Sequence, residues 1–138
     1  MGNEKFEKKM KHLEFVQGVI TRMNSNSFSM KGWMITVVAA FFAIFASSKN
    51  MNKLYLFIAV IPTFLFWLLD TYYLHMERKY RKLFVDVRDD IKTNFEMDAN
   101  DYDICFVGVM FSKTEWPLYL LMILLLVLGG LLGCYGIY

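Results

Sequence analysis

Apolar positions recur every three or four residues near the start of the chain, at Phe6, Met10, Leu13, Val16, Ile20 and Met23, while Glu4, Lys5, Lys8, Lys9, Lys11 and Glu14 mostly face elsewhere. This period predicts an amphipathic helix over residues 1–23. Its apolar stripe needs a partner, either the headgroup layer of a membrane or another helix of the same chain; the nearly uncharged "FVQGVITRM" fits a protein groove better. The pattern then breaks. In "MNSNSFSMKGW" small polar residues precede a run that carries no charge from Trp33 to Ala46. Asn and Ser bond their own backbone in turns, so a corner is expected at Asn24, Asn26 and Lys31, with Ser29 capping a new helix.

Two further stretches lack charge, Leu54 to Leu69 and Trp116 to Tyr138. Together the three predict membrane spans at about 30–47, 54–74 and 116–138. The link "SSKNMNK" makes the first two an antiparallel hairpin. Span two has no evident end: Met76, Tyr80, Leu83, Phe84, Val87 and Ile91 keep helical spacing, so the helix should continue past the bilayer for about 15 to 20 residues. Its stripe can meet the N-terminal helix. Beyond Lys92, Asp98, Asn100, Asp101 and Asp103 interrupt the helix, and Ile104 to Phe111 is too short to span and reads as a docked segment. Trp116 and Pro117 open the third span.

The expected fold is therefore an all-α membrane protein in four parts. Residues 1–28 form a cytoplasmic amphipathic helix and polar corner, 29–75 a transmembrane hairpin, 76–113 a cytoplasmic helix with a docked segment, and 114–138 a third transmembrane helix.

Composition agrees: 57% of the 138 residues are hydrophobic and 17% aromatic, and the mean hydropathy is +0.36. The net charge of +2 says little as a sum and gives no reason to expect nucleic-acid binding. Position says more: six basic residues lie in 1–31, two in the hairpin link, seven between Arg78 and Lys113, and none beyond. The positive-inside rule then puts the N-terminus and residues 78–113 in the cytoplasm, and the hairpin tip and the C-terminus outside. A cleaved signal peptide is not expected, because the roughly 30 residues ahead of the first run carry their own amphipathic pattern. Cys105 and Cys134 are expected to be unpaired.

Asp70 is the only acid touching a span. It reads either as an interfacial anchor pairing with Lys31 or Arg22, or as the lining of an aqueous vestibule. Thr36, Ser47 and Thr63 are the other candidate lining residues; Thr63 could also supply a hydroxyl where Pro62 frees the carbonyl of Ile58. Gly32, Thr36, Ala40 and Ala43 form a small-residue ridge suited to packing on span two or to a subunit contact, and Gly129 and Gly133 form a GxxxG pair suited to self-association. "EMDANDYD" lacks the glycine and glutamate of a calcium loop. His12 and His75 are isolated. With no phosphate loop, no HExxH, no paired carboxylates within the spans and no nucleophile beside a base, neither catalysis, a cofactor nor a metal is expected.

The runs "LEFVQGVITRMNSNSFSMKGW" and "PTFLFWLLDTYYLHMERKYRKLFVDVR" resemble the SLATT-like small helical membrane proteins of bacterial antiphage systems, together with the ancillary membrane proteins of type VI-B CRISPR and RADAR-type systems. The resemblance covers about residues 12–92 through helical layout. It implies an oligomeric pore or membrane-perturbing effector, triggered by a cytosolic partner. The expected partners are thus the lipid bilayer, further copies of the chain and cytosolic defence proteins. A third span departs from the two-span hairpin of that group. The alternatives are a non-pore anchor or scaffold recruiting a cytosolic complex and, more weakly, a small transporter, for which no second intramembrane ionisable group is evident.

Overall fold

The computed structural model describes residues 2–47 and 54–132. Four helices make it up: α1 (Gly2–Ser47), α2 (Leu54–Arg88), α3 (Phe106–Met110) and α4 (Trp116–Leu132), with no strand among the described residues. At 1.5 Å per residue, α1 is about 69 Å long and α2 about 52 Å. Both are long and apolar enough to cross a membrane, while α4 is a shorter apolar helix of 17 residues.

The two long helices run antiparallel. Lys9 near the start of α1 reaches the Arg88 carbonyl at 2.8 Å, and Ser27 meets Asp70 halfway along. Buried positions on α2 fall at Leu56, Thr63, Asp70 and Glu77, and on α1 at Ile20, Ser27 and Met34. Seven-residue spacing of this kind is the signature of a helix seam that keeps facing its partner over many turns. Each long helix accordingly has an apolar arm and a charged arm.

The expected corner at Asn24, Asn26 and Lys31 does not exist, because α1 passes through "MNSNSFSMKGW" without a break. The division between a separate helix over 1–28 and a hairpin starting at 29 falls with it. Ser and Asn cost a helix interior only about 0.5 kcal/mol each relative to Ala, and packing offsets that amount. Ser27 is a buried seam residue, and Ser29 returns its hydroxyl to the Ser25 carbonyl at 2.9 Å, a bond made within the helix. The helix leaving span two is present and ends at Arg88, just short of the expected length.

Two cores lie along the hairpin. In the apolar arm Met34, Val38, Leu56, Ala59 and Trp67 pack with Tyr119 and Leu126 of α4. In the charged arm Val16 and Ile20 pack with Leu83, Val87 and Ala99, so the stripe of the first 23 residues is covered by protein from Leu13 to Ile20, whereas Phe6 and Met10 stay exposed. The far end of this arm is pinned: Asp90 adopts a left-handed conformation (φ 57°) and the Ile91 amide closes back on the Asp86 carbonyl at 2.8 Å, ending α2. Lys9 sits there with its ammonium 2.8 Å from Asp90, a cation at a helix C-terminus. Tyr102 closes the arm by donating to Asp86 at 2.6 Å. Burial, then the Asp86 carboxylate, pushes its phenol up to about 12, so it stays a donor at neutral pH.

The docked segment is as expected in kind. His75 Nε2 donates to the Ile104 carbonyl at 2.9 Å, Trp67 Nε1 donates to the Met110 carbonyl at 3.3 Å, and Val109 is buried. His12 is likewise tied to the loop, donating to the Glu96 carbonyl at 3.2 Å.

The small residues pack otherwise than expected. Gly32, Thr36, Ala40 and Ala43 face outward, and it is the larger Met34, Val38, Phe41, Phe42 and Phe45 that meet α2 and α4. Gly129 is used within the chain, since a Cβ there would lie 3.2 Å from Leu56 and Phe42. Gly133 and Cys134 fall outside the described residues, as does the hairpin link after Ser47. Pro62 sits inside α2, and the Thr63 hydroxyl bonds the Ala59 carbonyl at 2.8 Å rather than that of Ile58, because a helical side chain folds back one turn.

Candidate functional site: a buried charge cluster where three helices meet

Each charge-free run ends in a charge at the same level of the molecule: Lys31 on α1, Asp70 on α2 and Glu115 just ahead of α4. The hairpin register brings the first two together, and the turn made by the Glu115 and Trp116 amides on the Ser112 carbonyl delivers the third. Lys31 Nζ lies 2.6 Å from Asp70 Oδ2 and 2.8 Å from Glu115 Oε1. Asp70 is 0% exposed and Glu115 2%.

Hydroxyls complete the site. Ser27 Oγ donates to Asp70 Oδ1, Tyr119 donates to Asp70 Oδ2 at 2.8 Å, and Lys31 donates to Ser27 Oγ at 3.1 Å. Asp70 therefore accepts from three donors on two other segments. Trp67 covers the cluster, its ring stacked on Tyr119 with centroids 5.8 Å apart and planes 10° from parallel, and Phe111 meets its other edge at 5.7 Å. The chain's three tryptophans, Trp33, Trp67 and Trp116, all fall within a turn of this level.

Among the described residues two buried side-chain polar atoms have no hydrogen-bond partner, Thr71 Oγ1 and Glu115 Oε2. Lys31, whose side chain is 21% exposed, is the cluster's edge toward solvent. Such an arrangement can hold charge, register and protons. Among the described residues no group of acids, histidines and cysteines has metal-binding geometry.

Of the residues singled out in the sequence, Asp70 and Lys31 meet, as the anchor reading has it. Asp70 lines no vestibule in the single chain, because protein donors enclose both of its oxygens. Thr63 is also buried, bonded within its own helix. Thr36 and Ser47 are exposed and turn their hydroxyls to the Gly32 and Ala43 carbonyls. Asn24 is exposed, Asn26 half-buried, and neither is part of the cluster. Glu115, Ser27 and Tyr119 were not anticipated. Glu115 brings a second carboxylate beside Asp70, where the sequence suggests a single acid. Its signal was its place as the last charge before the third apolar run, matching Lys31 and Asp70 at the ends of theirs.

Comparison with protein-family models, with curated proteins and with solved structures finds no match. What the fold defines is an all-helical chain with two long apolar helices, and a functional reading stands on the geometry of that chain alone.

Proposed function

We propose that the protein is an oligomeric, multi-pass effector or accessory protein of the bacterial inner membrane that works in antiphage defence, changing the membrane's permeability when triggered from the cytosol. The observation that carries this reading is the continuity of α1 and α2 from the charged arm into the apolar arm. A cytosolic partner that tilts or parts the charged arm thereby moves the membrane-facing helices directly. The charged arm lies in the cytoplasm and the buried cluster lies at the inner water boundary, where the three tryptophans suit the headgroup level. Little of the apolar half of α1 is covered within one chain, which leaves Gly32, Thr36, Ala40 and Ala43 for contacts between copies. In that assembly, Thr36 and Ser47 would line any path between subunits. The antiphage setting rests on the resemblance of residues 12–92.

A non-pore anchor is the second reading, favoured by the exposed Phe6, Phe15 and Ile91 on the charged arm, an apolar surface available to a cytosolic protein. A membrane-potential dye in cells expressing the chain with its neighbouring genes separates the two. The effector reading expects the potential to collapse on phage challenge; protection with the potential intact, and a cytosolic protein co-purifying through the charged arm, would replace it with the anchor.

A further inference from the structure

We propose that the Lys31–Asp70–Glu115 cluster is a proton-binding site, with the proton carried on Glu115, and that the bound proton keeps the start of α4 docked on the hairpin. The argument begins with a count. Two buried carboxylates share one ammonium, and among the described residues no other cation reaches either of them. The titratable groups facing the site are Lys31 from α1, Asp70 from α2 and Tyr119 from α4; α3 contributes none. With every acid ionised and Tyr119 a neutral phenol, the cluster would carry one uncompensated negative charge. An unpaired charge in a low-dielectric interior takes up a proton instead.

The hydrogen bonds decide which acid takes it. Asp70 accepts from Ser27, Tyr119 and Lys31, so both of its oxygens are supplied with donors. Among the described residues Glu115 accepts from Lys31 alone, through Oε1, while Oε2 is buried without a hydrogen-bond partner. An ionised Glu115 would leave that oxygen's charge unanswered, whereas a protonated one leaves only a neutral hydroxyl, the smaller penalty. The proton enters and leaves along the exposed edge at Lys31, and its binding simply converts the Glu115 carboxylate to the acid. Raising the pH removes it and puts a second negative charge beside Asp70. Glu115 lies immediately before α4, so that repulsion falls on the segment presenting Tyr119 to Trp67.

Infrared spectroscopy of the purified full chain in lipid nanodiscs tests the site without any assumption about defence. At neutral pH the wild type should show the carbonyl stretch of a buried carboxylic acid. That band should move on labelling with carbon-13 glutamate, stay put on labelling with carbon-13 aspartate, fade as pH is raised and be missing from the isosteric Glu115→Gln. No such band at neutral pH, a band moved by the aspartate label, or a band surviving in Glu115→Gln would each overturn the assignment. Docking is read in a Trp33→Phe, Trp116→Phe background, where Trp67 emission should change over the same pH range in which the band fades and stay constant in Glu115→Gln. Emission that ignores the loss of the band would overturn the link to α4.

Discussion

Lys31→Met is expected to destabilise the protein more than any other single substitution in the cluster, by about 3–5 kcal/mol, the range for breaking a buried ion pair from one side. Methionine keeps most of the volume, so the loss is electrostatic. Asp70 would then share a pocket with the protonated Glu115 and no cation, and its charge must either stay out of water or be neutralised. The companion variant makes the mechanism visible: adding Asp70→Asn and Glu115→Gln to Lys31→Met removes the stranded charge, and most of the lost stability should return. Such recovery is what marks an interaction energy rather than a sum of independent defects. Denaturant titration of the wild type and these two variants in a fixed detergent, followed by helix signal, measures it. A Lys31→Met variant within about 1 kcal/mol of wild type would place the pair among surface ion pairs of little consequence.

Asn26→Pro is the second large effect. Proline inside a helix removes one backbone bond and collides with the carbonyl four residues earlier, here that of Arg22, at a cost of about 3 kcal/mol or more. Because α1 is continuous through this point, the damage should spread to both arms, with new protease cleavage near residues 22–29 and lost packing of Leu13, Val16 and Ile20 on α2. Alanines at Asn24, Ser25 and Asn26 should change neither stability nor proteolysis by much, since a helix already present there gains only a few tenths of a kcal/mol per residue. Had the segment been a turn, the outcomes would be reversed: proline tolerated, alanine disruptive.

That reversal also measures what could be read from the residues. The all-helical class, the hairpin partners, the helix leaving span two and the choice of Lys31 or Arg22 as the partner of Asp70 follow from periodicity and from where charge stops. The corner was wrong because composition and seam carry different information. Asn24 to Ser29 are poor helix formers, yet Ile20, Ser27 and Met34 keep seven-residue spacing across them, and Asp70 and Glu77 continue the matching series on α2. A polar residue at a seam position is a register device, and Ser27 opposite Asp70 fits that role. The small-residue ridge misled for a related reason. Gly32 to Ala43 do share a face, but Met34, Val38 and Phe41 share the other, and aromatic bulk against α2 and α4 buries more apolar area than close approach would. Glu115 was hidden because helix-by-helix reading gives no account of which helix ends lie level in three dimensions.

The unbroken passage of α1 from charged to apolar arm is the claim on which the coupling and the cluster both depend. Spin labels at the exposed positions Glu14 and Ile44, in a chain carrying Cys105→Ser and Cys134→Ser, measure it by pulsed electron spin resonance in nanodiscs. Thirty residues of continuous helix predict a single narrow distance distribution centred near about 45 Å. A broad distribution, or one centred well below that length, would mean that the chain bends at Asn24 to Ser29 and would contradict the account.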